Sequence, residues 1–94
     1  MKAILKYQLD TADIQHITMP YGAEILTVQS HRGNICLWAL VDWEAIPESL
    51  RTFRIYGTGH PLSSDSTYLV QNYIGTVQEL NGSLVWHVFE EVSV

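Results

Sequence analysis

Ile35-Cys36-Leu37-Trp38-Ala39-Leu40-Val41 is a run of seven consecutive apolar residues. A strand with one wet face alternates apolar and polar side chains, so an unbroken run requires cover on both faces. The run is too short for a membrane helix, which needs about 20 apolar residues. It therefore reads as the central strand of a sheet. The turn before it is Arg32-Gly33-Asn34, with Gly33-Asn34 as the expected central pair of a hairpin.

The rest of the chain supplies partners for that strand. Ala3 to Leu9 and Ala23 to Ser30 are strand-like, and Ile14 to Met19 is extended between the turns Asp10–Asp13 and Pro20–Gly22. Asp42 to Leu50 is the one long connection, with a turn of helix expected at Pro47-Glu48-Ser49-Leu50. Arg51 to Tyr56 and Tyr68 to Leu80 are further strands, separated by a polar stretch from Pro61 to Thr67. Asn81-Gly82 is the strongest hairpin signal. It pairs Leu80 with Ser83, Val77 with Trp86 and Thr76 with His87. Ser83 to Glu91 is the last strand, and Val92-Ser93-Val94 is expected to fray. These pieces predict one all-β, mainly antiparallel domain over 1–94, a sandwich or a partly open barrel with at most one short helix. The expected core is Val28, Leu37, Trp38, Leu40, Phe53, Ile55, Val77, Trp86 and Val88, with Trp38 and Trp86 paired across it.

Ninety-four residues suffice for one core only. The formal net charge of −5 argues against duplex nucleic acid, whose phosphates need a basic surface. Apolar residues reach 47% and charged ones only 16%, a surplus that suits a subunit interface and predicts a homodimer or higher homo-oligomer. Cys36 is the single cysteine, so there is no intrachain disulfide, and a buried core role is expected for it. Met1-Lys2-Ala3-Ile4 begins no signal-peptide pattern and no run spans a bilayer, so a cytoplasmic protein without membrane attachment is expected.

The candidate site is the stretch from Arg51 to Pro61. Its alternation sends Phe53 and Ile55 to one face and Arg54 and Tyr56 to the other. Gly57-Thr58-Gly59 then forms a turn whose backbone N–H groups suit an anion, with His60 beside it. Two of the five basic residues of an acidic chain, Arg51 and Arg54, stand here. The candidate ligand-binding set is Arg51, Arg54, Tyr56, Gly57, Thr58, Gly59 and His60, with Trp43 or Tyr56 as a stacking face. The blander reading of the same residues is a bulged turn, with the arginines solvated or paired to Glu44 or Glu48.

Other chemistry has little support. His16, His31, His60 and His87 have no zinc-like spacing, so no metal and no cofactor are expected. Ser63, Ser64, Ser66, Thr58 and Asp65 crowd His60, but triads are assembled from separate rigid segments, and no Gly-x-Ser-x-Gly elbow exists. A non-enzymatic protein is expected.

Five blocks together carry a resemblance: Gly22-Ala23-Glu24-Ile25-Leu26, the stretch from Cys36 to Asp42, the stretch from Arg51 to His60, Tyr73-Ile74-Gly75-Thr76-Val77 and His87-Val88-Phe89-Glu90. The chain from about Leu5 to Glu90 resembles a family of small uncharacterised domains from bacteriophages and bacterial genomes. The resemblance implies a phage or prophage accessory protein acting on a component of the host cytoplasm, and it brings no catalytic residues. Two functions fit. One is sequestration of a small anionic, nucleotide-like ligand without hydrolysis, as a counter-defence protein would do. The other is a protein-interaction module that binds and inhibits a host protein through its acidic surface or an edge strand.

Overall fold

The computed structural model describes residues 1–45, 47–61 and 72–91. Its strands are β1 (Lys2–Leu9), β2 (Ile14–Pro20), β3 (Glu24–His31), β4 (Asn34–Asp42), β5 (Glu48–Gly57), β6 (Tyr73–Glu79) and β7 (Leu84–Glu91). They form a three-stranded sheet in the order β1-β4-β3 and a four-stranded sheet in the order β2-β5-β7-β6. All pairings are antiparallel. The fold is the expected all-β class in its sandwich form: the sheets stack face to face and do not close into a barrel. Among the described residues no helix is long and apolar enough to cross a membrane.

The apolar run is β4, central in its sheet as predicted. Its odd positions, Ile35, Leu37, Ala39 and Val41, face the second sheet and are 0–1% exposed. They meet Phe53 and Ile55 of β5, Val77 of β6 and Val88 of β7 in one core. On the outer face Cys36 is buried, while Trp38 and Leu40 are only half-buried. No third layer covers that face among the described residues, so neighbouring side chains supply the cover. The expected Trp38–Trp86 pair does not form, because Trp38 points outward. Its ring meets His31 edge-on at 5.9 Å. Trp86 lies on the inner face of β7, half-buried at the margin of the core.

Two turns show how local chemistry fixed register. At the β3–β4 hairpin His31 pairs with Asn34, so the central residues are Arg32 and Gly33 rather than Gly33 and Asn34. Both have positive φ (52° and 81°), the pattern of a type I′ turn. Strand twist favoured that turn strongly enough to hold an arginine in the left-handed region. At Asn81-Gly82 the expectation holds: φ is 57° and 87°, and Val77 faces Trp86 while Thr76 faces His87. No helical turn forms at Pro47–Leu50, because Glu48 already starts β5 opposite Pro20. The sequence expectations for 62–71 and 92–94 lie outside the described residues.

The sheets approach most closely where β6 meets β3. A Cβ on Gly75 would lie 2.8 Å from Cγ1 of Val28, so only glycine allows this contact. A register shift between Tyr73 and Gly75 bends β6 toward it.

Candidate functional site

Strand β5 passes through every part of the candidate site, and its alternation decides what each residue meets. Arg51 shares the inner face with Phe53 and Ile55. It is not offered to solvent: Nη2 donates to Glu90 Oε1 at 2.9 Å and Nε donates to Oε2 of the same carboxylate. Nη1 donates to the carbonyl of Ala23, in the turn between β2 and β3, at 2.7 Å. The Glu90 carboxylate raises the Arg51 pKa above its ordinary value, against a smaller opposing effect of burial. Arg51 therefore ties β5 and β7 to the turn through which the chain passes from one sheet to the other.

Arg54 lies on the outer face with Tyr56, as the alternation predicts. Its Nε donates to Glu91 Oε2 at 2.5 Å. Glu91 raises its pKa, burial opposes, and the Tyr56 oxygen adds a smaller push upward. The arginines are thus paired, but with Glu90 and Glu91 rather than with Glu44 or Glu48. These acids are neighbours on β7, which runs beside β5 with Phe53 opposite Glu90 and Thr52 opposite Glu91. Tyr56 meets Phe89 edge-on at 5.7 Å, and Phe89 meets Tyr73 at 5.4 Å. The Tyr56 hydroxyl is buried and makes no hydrogen bond of good geometry.

At the far end of β5 the glycine turn closes with His60 N–H donating to the Gly57 carbonyl at 3.1 Å. Gly59 has φ +88°, which at the third position of such a turn marks type II. The His60 ring stands over Gly57, whose Cβ would come within 3.0 Å of it. Gly57, Thr58 and His60 line an open cleft of about 240 Å³ with Ser83, Leu84, Val85 and Trp86. The Trp86 indole N–H is buried and has no acceptor. Sequence reasoning missed Trp86 as a site residue, treating it as core; the β5–β7 pairing sets it opposite Gly57, and the hairpin register alone gives only its pairing with Val77.

His87 is hydrogen-bonded through both ring nitrogens. Its Nε2 lies 2.7 Å from Thr58 Oγ1 and its Nδ1 lies 2.9 Å from Thr76 Oγ1, which in turn meets the Tyr73 hydroxyl. The chain holds Thr58, and with it the turn, to the outer face of the four-stranded sheet.

Trp43 does not join this group. It follows β4 at the opposite end of β5, whose ten residues at about 3.3 Å each separate the two by roughly 30 Å. It is 51% exposed there, at the end that also carries Tyr21 (67%) and Leu50 (66%). The carboxylates Glu24, Asp42, Glu44 and Glu48 lie at the same end. Asp42 accepts from the Met1 amine and from the Glu44 N–H, each at 3.1 Å. The amine is the larger cause holding the Asp42 carboxyl below its ordinary pKa. Glu24 and Glu48 make no ion pair among the described residues. Among those residues no three His, Cys, Asp or Glu side chains gather as a metal ligand set.

The family described as a domain of unknown function, DUF7352, matches residues 1–94, and the chain belongs to it. Its description carries neither an activity nor a phage origin. No curated protein and no solved structure matches the chain.

Proposed function

We propose that this domain is a protein-interaction module whose binding surface is the end bearing Tyr21, Trp43 and Leu50. The observation that carries this reading is their exposure, half or more each, beside Glu24 and Glu48, which have no cationic partner among the described residues. Aromatic residues on a surface suit hot-spot contacts. The carboxylates around them favour a partner with arginine or lysine beside an apolar patch. In the phage setting that the sequence resemblance implies, that partner would be a host protein, and binding would block it. The test is capture from host cells by the parent protein and by Tyr21→Ala/Trp43→Ala, followed by mass spectrometry. One basic protein retained by the parent and lost from the variant is the expected result. Equal capture by both would remove the surface.

A second reading keeps the small anionic, nucleotide-like ligand at the Gly57–His60 turn, sequestered without reaction. It is favoured by the unpartnered Trp86 N–H, in a residue that lines the cleft with Thr58 and His60. Two facts rank it lower. Both arginines already hold carboxylates. The cleft, at about 240 Å³, also falls short of the roughly 300 Å³ at which small-molecule sites begin. A nucleotide recovered from the purified protein, with binding unchanged in the Trp43 variant, would reverse the order.

A further inference from the structure

We infer that the chain self-associates through the free edge of β1, as a two-fold antiparallel pair centred on Leu5. Strand β1 ends its sheet and is hydrogen-bonded to β4 alone. Such an edge leaves main-chain donors and acceptors unpaired. The middle of β1 is also apolar on both faces: Ile4 is 59% exposed on the outer side and Leu5 37% exposed on the inner side. Leu5 faces inward beside Ala39, which is fully buried. The core thus extends one strand beyond its cover, and β1 has the composition of a strand with neighbours on both sides.

The occupant is a second copy, because β1 is complementary to itself when the pairing is centred on Leu5. A two-fold pairing that keeps both inner faces on one side opposes residues of equal parity. Centred on Leu5, it sets Leu5 against the partner's Leu5 and Ala3 against the partner's Tyr7. On the outer face Ile4 lies under the aliphatic stem of the partner's Lys6, and Lys2 meets the partner's Gln8. Shifting the centre to Ile4 would place Lys2 opposite the partner's Lys6. Shifting it to Lys6 would place that lysine opposite its own copy. Like charges directly opposite are unfavourable, so both alternatives are disfavoured. The pairing joins two three-stranded sheets edge to edge. It also sends the Tyr21–Trp43 ends in opposite directions, so it does not depend on what those ends bind.

Cysteine scanning tests the register. In a Cys36→Ala background, single cysteines are placed at Ile4, Leu5, Lys6 and, as an exposed control on β2, Thr18. Opposed residues in an antiparallel pair have Cα atoms about 4.5–5.5 Å apart, within disulfide reach. Under mild oxidation Leu5→Cys is expected to cross-link about tenfold faster than the others, given the geometric selectivity of the bond. Sedimentation of the unmodified protein should show a dimer, and Leu5→Lys should raise the dissociation constant at least about tenfold by opposing two charges. Thermal melts of each variant confirm folding. A monomer up to about 100 µM, a weak-binding limit, overturns the inference. So does fastest cross-linking at Ile4, Lys6 or Thr18.

Discussion

Arg51 and Arg54 occupy the same strand and pair with adjacent glutamates of one neighbour, yet the two ion pairs lie in different surroundings. The Arg51 and Glu90 side chains are 20% and 17% exposed, whereas those of Arg54 and Glu91 are 30% and 37% exposed. The first pair is bidentate and adds a bond to the Ala23 carbonyl in the turn that links β2 to β3. The second is a single contact on an outer face. Strand parity causes the difference: an odd position turns toward the core and an even one toward solvent. Basic residues close in sequence therefore do not make a basic site in this fold.

The sharpest way to break the comparison is at the inner pair. Arg51→Ala leaves Glu90 without its cation and the Ala23 carbonyl without its donor. The pair is half-buried, so the expected loss lies between that of a surface pair and a buried one, about 1–3 kcal/mol, read by urea unfolding. A loss below about 0.5 kcal/mol, the size of a surface pair, would mean that the inner pair is solvated after all. The pair should also be insensitive to alkaline titration in the usual range. A raised arginine pKa contributes stability that is complete below the ordinary arginine value and is lost as pH rises from there through the folded one. Since even the ordinary arginine value lies well above mild alkali, stability between neutral pH and mild alkali should not change through Arg51.

The sheets also touch without charge, at Gly75 and Val28. Gly75→Ala should destabilise by about 1–3 kcal/mol, as overpacking does, because the new methyl would lie 2.8 Å from Val28. Val28→Ala in the same chain should recover part of the loss. No recovery would place the strain in the β6 backbone instead.

What was legible in the sequence follows from the same physics. The run at Ile35–Val41 identified β4 because seven apolar residues have few other uses, and Asn81-Gly82 set the β6–β7 register because few turns suit that pair. The faces of Phe53, Arg54, Ile55 and Tyr56 were legible from alternation alone. Two partnerships were not. Glu90 and Glu91 lie nearly forty positions beyond the arginines, and only the β5–β7 pairing brings them together; nearer acids, Glu44 and Glu48, looked equally available. Trp38 was misplaced because in a fully apolar run the alternation gives no sign of which face is inward. Trp43 was grouped with the glycine turn by sequence distance, and the length of β5 separates them.

The smallest expected effect belongs to Arg54, and it is the one that divides the two functional readings. Arg54→Ala removes a partly exposed pair, so stability should fall by less than about 1 kcal/mol. Added salt should diminish even that, since screening at 1 M acts within about 3 Å. If the Gly57–His60 end holds a phosphate-bearing ligand, Arg54 must exchange Glu91 for it, and its loss should weaken binding by about 1.5–3 kcal/mol, the range of a charged hydrogen bond. Glu91→Gln should then strengthen binding, because it frees the guanidinium. If the module binds a protein through Tyr21 and Trp43, Arg54→Ala leaves affinity unchanged, because Arg54 lies toward the turn end of β5, and Glu91→Gln does not strengthen it. Calorimetric titration of the parent and the two variants, beside thermal melts, reads both quantities in one set of samples. Opposite shifts for Arg54→Ala and Glu91→Gln would restore the turn as the binding site, and flat responses would leave the Tyr21–Trp43 end.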